Sequence, residues 1–138
     1  MALAASSSPR ISADGKFFRS GGKKFYAKGV AYGPFAPLSG TTSPGFTSPD
    51  QTARDFAQIR ALGANLVRVY EVPAQWFLDL ASEHKLKVFV DVPWNKHLCF
   101  LDSAQQRVEA RQSVRRAVAA CAGHPAVFAF SVANEIPA

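Results

Sequence analysis

The chain has 138 residues, 48% of them hydrophobic, which is enough to bury a core and make one globular domain and too apolar for a disordered tract. A formal charge of +6 comes from 16 Lys and Arg against 10 Asp and Glu, scattered along the chain rather than gathered in one run, so a nucleic-acid partner is not expected. No apolar run approaches the roughly 18 residues of a membrane span, and Cys99 and Cys121 stand in no metal-ligand or redox spacing, so membrane, metal and cofactor are all left out of the expectation.

In chain order, residues 1–10 lack the basic and apolar regions of a secretory signal and are read as a loose tail, an absence that points to the cytoplasm. From Ile11 to Tyr26, the turn dipeptides Asp14-Gly15 and Gly21-Gly22 bracket Phe17-Phe18-Arg19 and predict a small antiparallel hairpin covering one end of the core. Ala27 to Tyr32 is a candidate first core strand. The stretch from Gly33 to Thr47 is long for a linker inside a compact domain and reads as an active-site loop. Ser48 then serves as N-cap, with Pro49 at the first helical position and Gln51 at the third, and Ala53, Phe56, Ile59 and Leu62 form an apolar stripe before the left-handed stop at Gly63. Asn65 to Tyr70 is the second strand, Ala74 to about Glu83 a helix with Trp76, Phe77 and Leu80 inward, and Leu86 to Val92 the third strand, closed by Pro93-Trp94. Asp102 is the expected N-cap of a helix running to about Ala122, ended by Gly123 and Pro125.

The run Val127 to Ile136 completes the pattern. Its continuous apolar residues fit a parallel strand covered on both faces, and the abrupt Asn134-Glu135 places two polar side chains at the carboxyl end, where α/β folds carry their chemistry. Strict alternation puts Glu135 on one face with Ser131 and Ala133, and Phe128, Phe130 and Val132 on the other. A hairpin followed by three β-loop-α units and a fourth strand implies right-handed crossovers and a parallel sheet. Gly29 to Gly33 does not match the dinucleotide fingerprint, which disfavours a doubly wound fold. A complete (β/α)8 barrel needs about 250 residues. The expected fold is therefore α/β: a partial TIM barrel of four strands and three helices, residues 11–138, ending just after strand four.

The segment His124 to Glu135, reading His-Pro-Ala-Val-Phe-Ala-Phe-Ser-Val-Ala-Asn-Glu, resembles the strand-four signature of the large clan of retaining (β/α)8 glycoside hydrolases that includes β-galactosidases, β-glucuronidases and cellulases. Lys24 to Val30 is similar to their first strand and Asn65 to Arg68 to their second, so the resemblance spans most of the chain. It implies that Glu135 is the general acid/base of a glycoside hydrolase or transglycosylase, that Asn134 bonds the 2-hydroxyl of a carbohydrate substrate, and that Arg68 orients the nucleophilic carboxylate. That nucleophile comes from strand seven in the family, a position these 138 residues do not include, so the C-terminal half of a barrel is an implied partner and the chain alone is expected to show little activity. The plain alternatives are a capping Asn, a solvated Glu and a surface Arg.

From the residues themselves, Trp94 is a candidate to stack on a sugar face, and Asp91, His97 and Tyr32 to bind hydroxyls. Tyr70 has standing similar to Tyr32, while Glu71 is a second acid without a family role. A half barrel also exposes strand edges that favour self-association. The pairing of Tyr32-Gly33-Pro34-Phe35-Ala36-Pro37 with Asp91-Val92-Pro93-Trp94 is similar to barrel domains attached to family-2 glycosyltransferases, which supplies a second reading: a non-catalytic carbohydrate-binding or regulatory module.

Overall fold

A computed structural model describes residues 9–36, 44–94, 101 and 103–134. The expected loose tail lies outside these residues up to position 8. Strands β1 (Ile11–Asp14), β2 (Phe17–Ser20) and β3 (Lys23–Phe25) form a three-stranded antiparallel meander, one strand more than the hairpin read from the turn dipeptides, because both glycine turns reverse the chain. Four parallel strands follow in the order β4 (Gly29–Ala31), β5 (Leu66–Val69), β6 (Lys87–Asp91) and β7 (Val127–Ser131). They alternate with α1 (Pro49–Ala61), α2 (Gln75–Glu83) and α3 (Ala104–Cys121). This is the first half of a (β/α)8 barrel with a meander across the amino-terminal end of its strands.

Local chemistry explains most of the boundaries. Ser48 caps α1 by accepting the Gln51 N–H at 3.2 Å, while the Gln51 side chain turns forward to Asp55, so the capping box is made in one direction only. Gly63, at φ +85°, closes the helix in the left-handed region. The cap of α3 is Ser103, accepting from the Gln106 N–H at 3.3 Å, one residue later than expected. Asp102 is outside the described residues.

The core sits between the sheet and the helices. Val67 and Val69 of β5 and Val88 and Val90 of β6 are fully buried against Phe56, Phe77, Leu78 and Ala81. The stems of the Gly33–Thr47 loop join this layer: Phe46 is buried, its ring 4.7 Å from that of Phe77, and the Phe35 N–H donates to the Gly45 carbonyl at 3.1 Å.

The opposite, inner face is mixed and in chain order carries Leu66, Arg68, Lys87, Phe89 and Asp91. Here β7 departs from strict alternation. Val88 pairs with Val127 but Phe89 pairs with Ala129, so Phe128 is the extra residue of a β-bulge. Its ring joins the inner face, 6.0 Å from Phe89, 4.8 Å from Phe18 and 5.9 Å from Phe25, instead of sharing a face with Phe130. Phe130 packs against the helix-side core and Ser131 stands beside Asp91.

The floor of the half barrel is tied by long-range bonds. Lys87 Nζ donates to the carbonyls of Pro9 and Pro125 at 2.8 and 2.7 Å, and Arg10 donates to the Ala122 carbonyl at the end of α3. Burial lowers the Lys87 pKa. Asn65 acts as a backbone surrogate: its Oδ1 accepts the Lys28 N–H and its Nδ2 donates to the Tyr26 carbonyl, each at 2.8 Å, fixing the lead-in to β4.

Candidate active site

The carboxyl ends of β5, β6 and β7 converge on Arg68. The parallel register places Ala31, Arg68 and Phe89 side by side, and Asp91 lies one pleat further on, all projecting inward. Arg68 Nη2 donates to Asp91 Oδ2 at 3.2 Å and to Asn134 Oδ1 at 3.0 Å, drawing together β5, β6 and the segment that follows β7. The Asp91 side chain is 3% exposed and that of Arg68 32%, so the carboxylate is buried behind the guanidinium while part of the guanidinium faces the open side. The rings of Tyr70 and Phe89 flank it, with centroids 5.2 and 5.8 Å from Cζ. Arg68 Nε is buried and without a hydrogen-bond partner among the described residues. Chemically, the arrangement is a fixed cation beside an oriented amide at the mouth of a barrel.

Other expected site residues fall elsewhere. Tyr32 faces the helices: it is buried against Phe56 and Phe77, and its hydroxyl donates to Asp55 at 2.7 Å. Burial, reinforced by the Asp55 carboxylate, raises its pKa. The inward aromatic at this end is instead Tyr70. Alternation applied to strand one would have found this, because it groups Tyr32 with the apolar Val30 and leaves the small Gly29 and Ala31 facing inward.

Trp94 donates its indole N–H to the Val132 carbonyl at 2.9 Å and lines a groove of about 450 Å³ with Ala110, Val114 and Val132, on the α3 side of the strand ends. Glu71 borders a smaller cleft of about 320 Å³ with Pro44, Pro73 and Pro93. His97 and Glu135 lie outside the described residues. His124, in the lead-in to β7, accepts the Ala126 N–H at Nδ1 and lies 3.1 Å from Asp79 at Nε2, which anchors the base of the strand that carries Asn134. Among the described residues no cluster of His, Cys, Asp and Glu could hold a metal ion.

Residues 1–137 match the family model described as glucanosyltransferase, glycoside hydrolase 72. The chain belongs to that family. Solved structures agree on the fold. Saccharomyces cerevisiae Gas2p in complex with laminaripentaose superposes with a TM-score of 0.67 at 20% identity, over 92% of this chain and 31% of that one. The β-glucuronidase of Parabacteroides merdae gives 0.69 at 21% identity, over 94% and 16%, and β-glucuronidase 3 of Bacteroides uniformis gives 0.64 at 19%, over 88% and 15%. The chain thus spans about a third of the length of the Gas2 structures it matches. A search of curated protein sequences gives no match. Family and fold together identify the chain as part of a barrel of the glycoside hydrolase 72 family, within the clan that the strand-four segment resembles.

Proposed function

We propose that this chain supplies the acid/base side of a retaining active site that cleaves a glucan and transfers the released segment to another sugar hydroxyl. The observation that carries the reading is the 3.0 Å bond from Arg68 to Asn134, which joins two positions 66 residues apart at the mouth of the barrel. Glu135, next in sequence to that fixed amide, protonates the departing glycosidic oxygen and then, as a carboxylate, takes the proton of the attacking hydroxyl. Asn134 binds the sugar ring's 2-hydroxyl. Arg68, through the donors it does not spend on Asp91 and Asn134, orients the nucleophilic carboxylate, which the family draws from the seventh strand. When the acceptor is a sugar rather than water, the same two steps give transfer instead of hydrolysis. The glucanosyltransferase family model and the Gas2p complex with laminaripentaose support a glucan oligosaccharide as substrate.

The test is turnover of laminari-oligosaccharides and aryl β-glycosides by the full-length protein beside its Glu135→Gln variant. Loss of about 10²- to 10⁴-fold in the variant is the expected result, the range that general acid/base catalysis contributes. Sugar binding without turnover in either protein would replace this reading with the non-catalytic binding module.

A further inference from the structure

We infer that Asp91 is a positioning residue: through Arg68 it sets the rotation of the Asn134 amide so that Asn134 presents its N–H donors to the substrate. The inference rests on the reading of Asn134 as a sugar-binding residue, and it gives Asp91 a different task from the hydroxyl binding expected of it. One nitrogen makes both contacts. Arg68 Nη2 carries two hydrogens, and its neighbours are Asp91 Oδ2 at 3.2 Å and Asn134 Oδ1 at 3.0 Å. A guanidinium has donors and no acceptor, so only the oxygen of the Asn134 amide can face it, and Nδ2 points away. The amide orientation follows from this pairing and needs no choice between O and N. The rings of Tyr70 and Phe89 flank the guanidinium but offer it no directional bond. Directional restraint on Nη2 comes from the buried Asp91 carboxylate, whose own place is set by the ladder pairing of Asp91 with Ser131 and by the Val92 N–H bond to the Ser131 carbonyl at 2.9 Å. With the amide held this way, Asn134 offers donors to the lone pairs of a sugar hydroxyl. Rotated by 180° about its terminal torsion, it would offer an acceptor instead and select the hydroxyl's proton.

Two readouts on the full-length protein test this. The first needs no sugar: NMR of the Asn134 Cγ and Nδ2 and of the Arg68 Nη groups. In Asp91→Asn, the Asn134 Cγ signal shifts and the Arg68 Nη signals merge as the guanidinium rotates freely, while Asp91→Glu restores both in part. The second is a double-mutant cycle for laminaripentaose binding. Asp91→Asn weakens binding by at most roughly tenfold, the size of one hydrogen bond between neutral groups, and Asp91→Asn with Asn134→Ala binds no worse than Asn134→Ala alone. Unmoved Asn134 and Arg68 signals, or additive losses in the cycle, overturn the proposal, the latter because they show Asp91 touching the sugar itself. If Asp91→Asn fails to fold, Asp91→Ser answers the same question, since it too removes the carboxylate that restrains Arg68, and unmoved Asn134 Cγ and Arg68 Nη signals there are equally fatal. Failure of the wild-type full-length protein to bind laminaripentaose would count against the substrate reading and leave the NMR result to decide this one.

Discussion

At the scale of single residues, the side chains of the inner face and those of the helix side answer to different physics. On the helix side the requirement is packing. Tyr32 meets it, its ring among Phe35, Phe56 and Phe77 and its hydroxyl on Asp55. Its raised pKa has a consequence for alkaline stability. A group whose folded value lies above its unfolded value contributes stability that is complete below the unfolded value, 10.0 for tyrosine, and is lost as the pH climbs through the folded one. Denaturant midpoints measured from pH 8 to 11 are therefore expected to fall above pH 10 more steeply for the native chain than for Tyr32→Phe. Gly45 is a second case. It sits at φ +81°, and a Cβ there would lie 2.8 Å from Glu71 Cγ, so both backbone conformation and space exclude a larger residue. Gly45→Ala is expected to cost about 1–2 kcal/mol, read as a lowered urea midpoint.

At the scale of elements, short-range signals set the helices and one long-range irregularity sets the fourth barrel strand. The cap of α1 was legible because Ser48, Pro49 and Gln51 act within one turn. Ser48→Ala should lower stability by about 1 kcal/mol in thermal denaturation, and Ser48→Asp should recover most of it. The cap of α3 was displaced by one residue because Asp102 and Ser103 are both good caps, and the structure makes the bond from Ser103 to Gln106. The bulge in β7 was not legible. Two arrangements of Phe128 to Ser131 satisfy the apolar pattern, and only pairing with β6 and contact with Phe18 and Phe25 of the meander choose between them. That choice turns Phe128 away from the face of Phe130 and onto the inner face, while Phe130 and Ser131 keep the sides that alternation gives them.

At the scale of the molecule, four parallel strands present β4 and β7 as edges, and neither has a further partner strand among the described residues. The apolar groove beside Val132 and the exposed Val108 and Val118 lie along the β7 side. Unpaired edges with adjoining apolar surface template association. Light scattering of the 138-residue chain is expected to show species larger than the monomer as concentration rises, and a strictly monomeric solution would contradict this. The sequence by itself determined the alternation of strands and helices, the parallel sheet, the principal helix stops and the carboxyl-end position of Asn134, because periodicity, caps and turn residues act over a few neighbours. Tertiary structure alone decided that Phe128 bulges inward and that Arg68 joins Asp91 to Asn134. Those outcomes depend on the register of strands that lie tens of residues apart, and a one-residue shift in register reverses the face of every side chain beyond it.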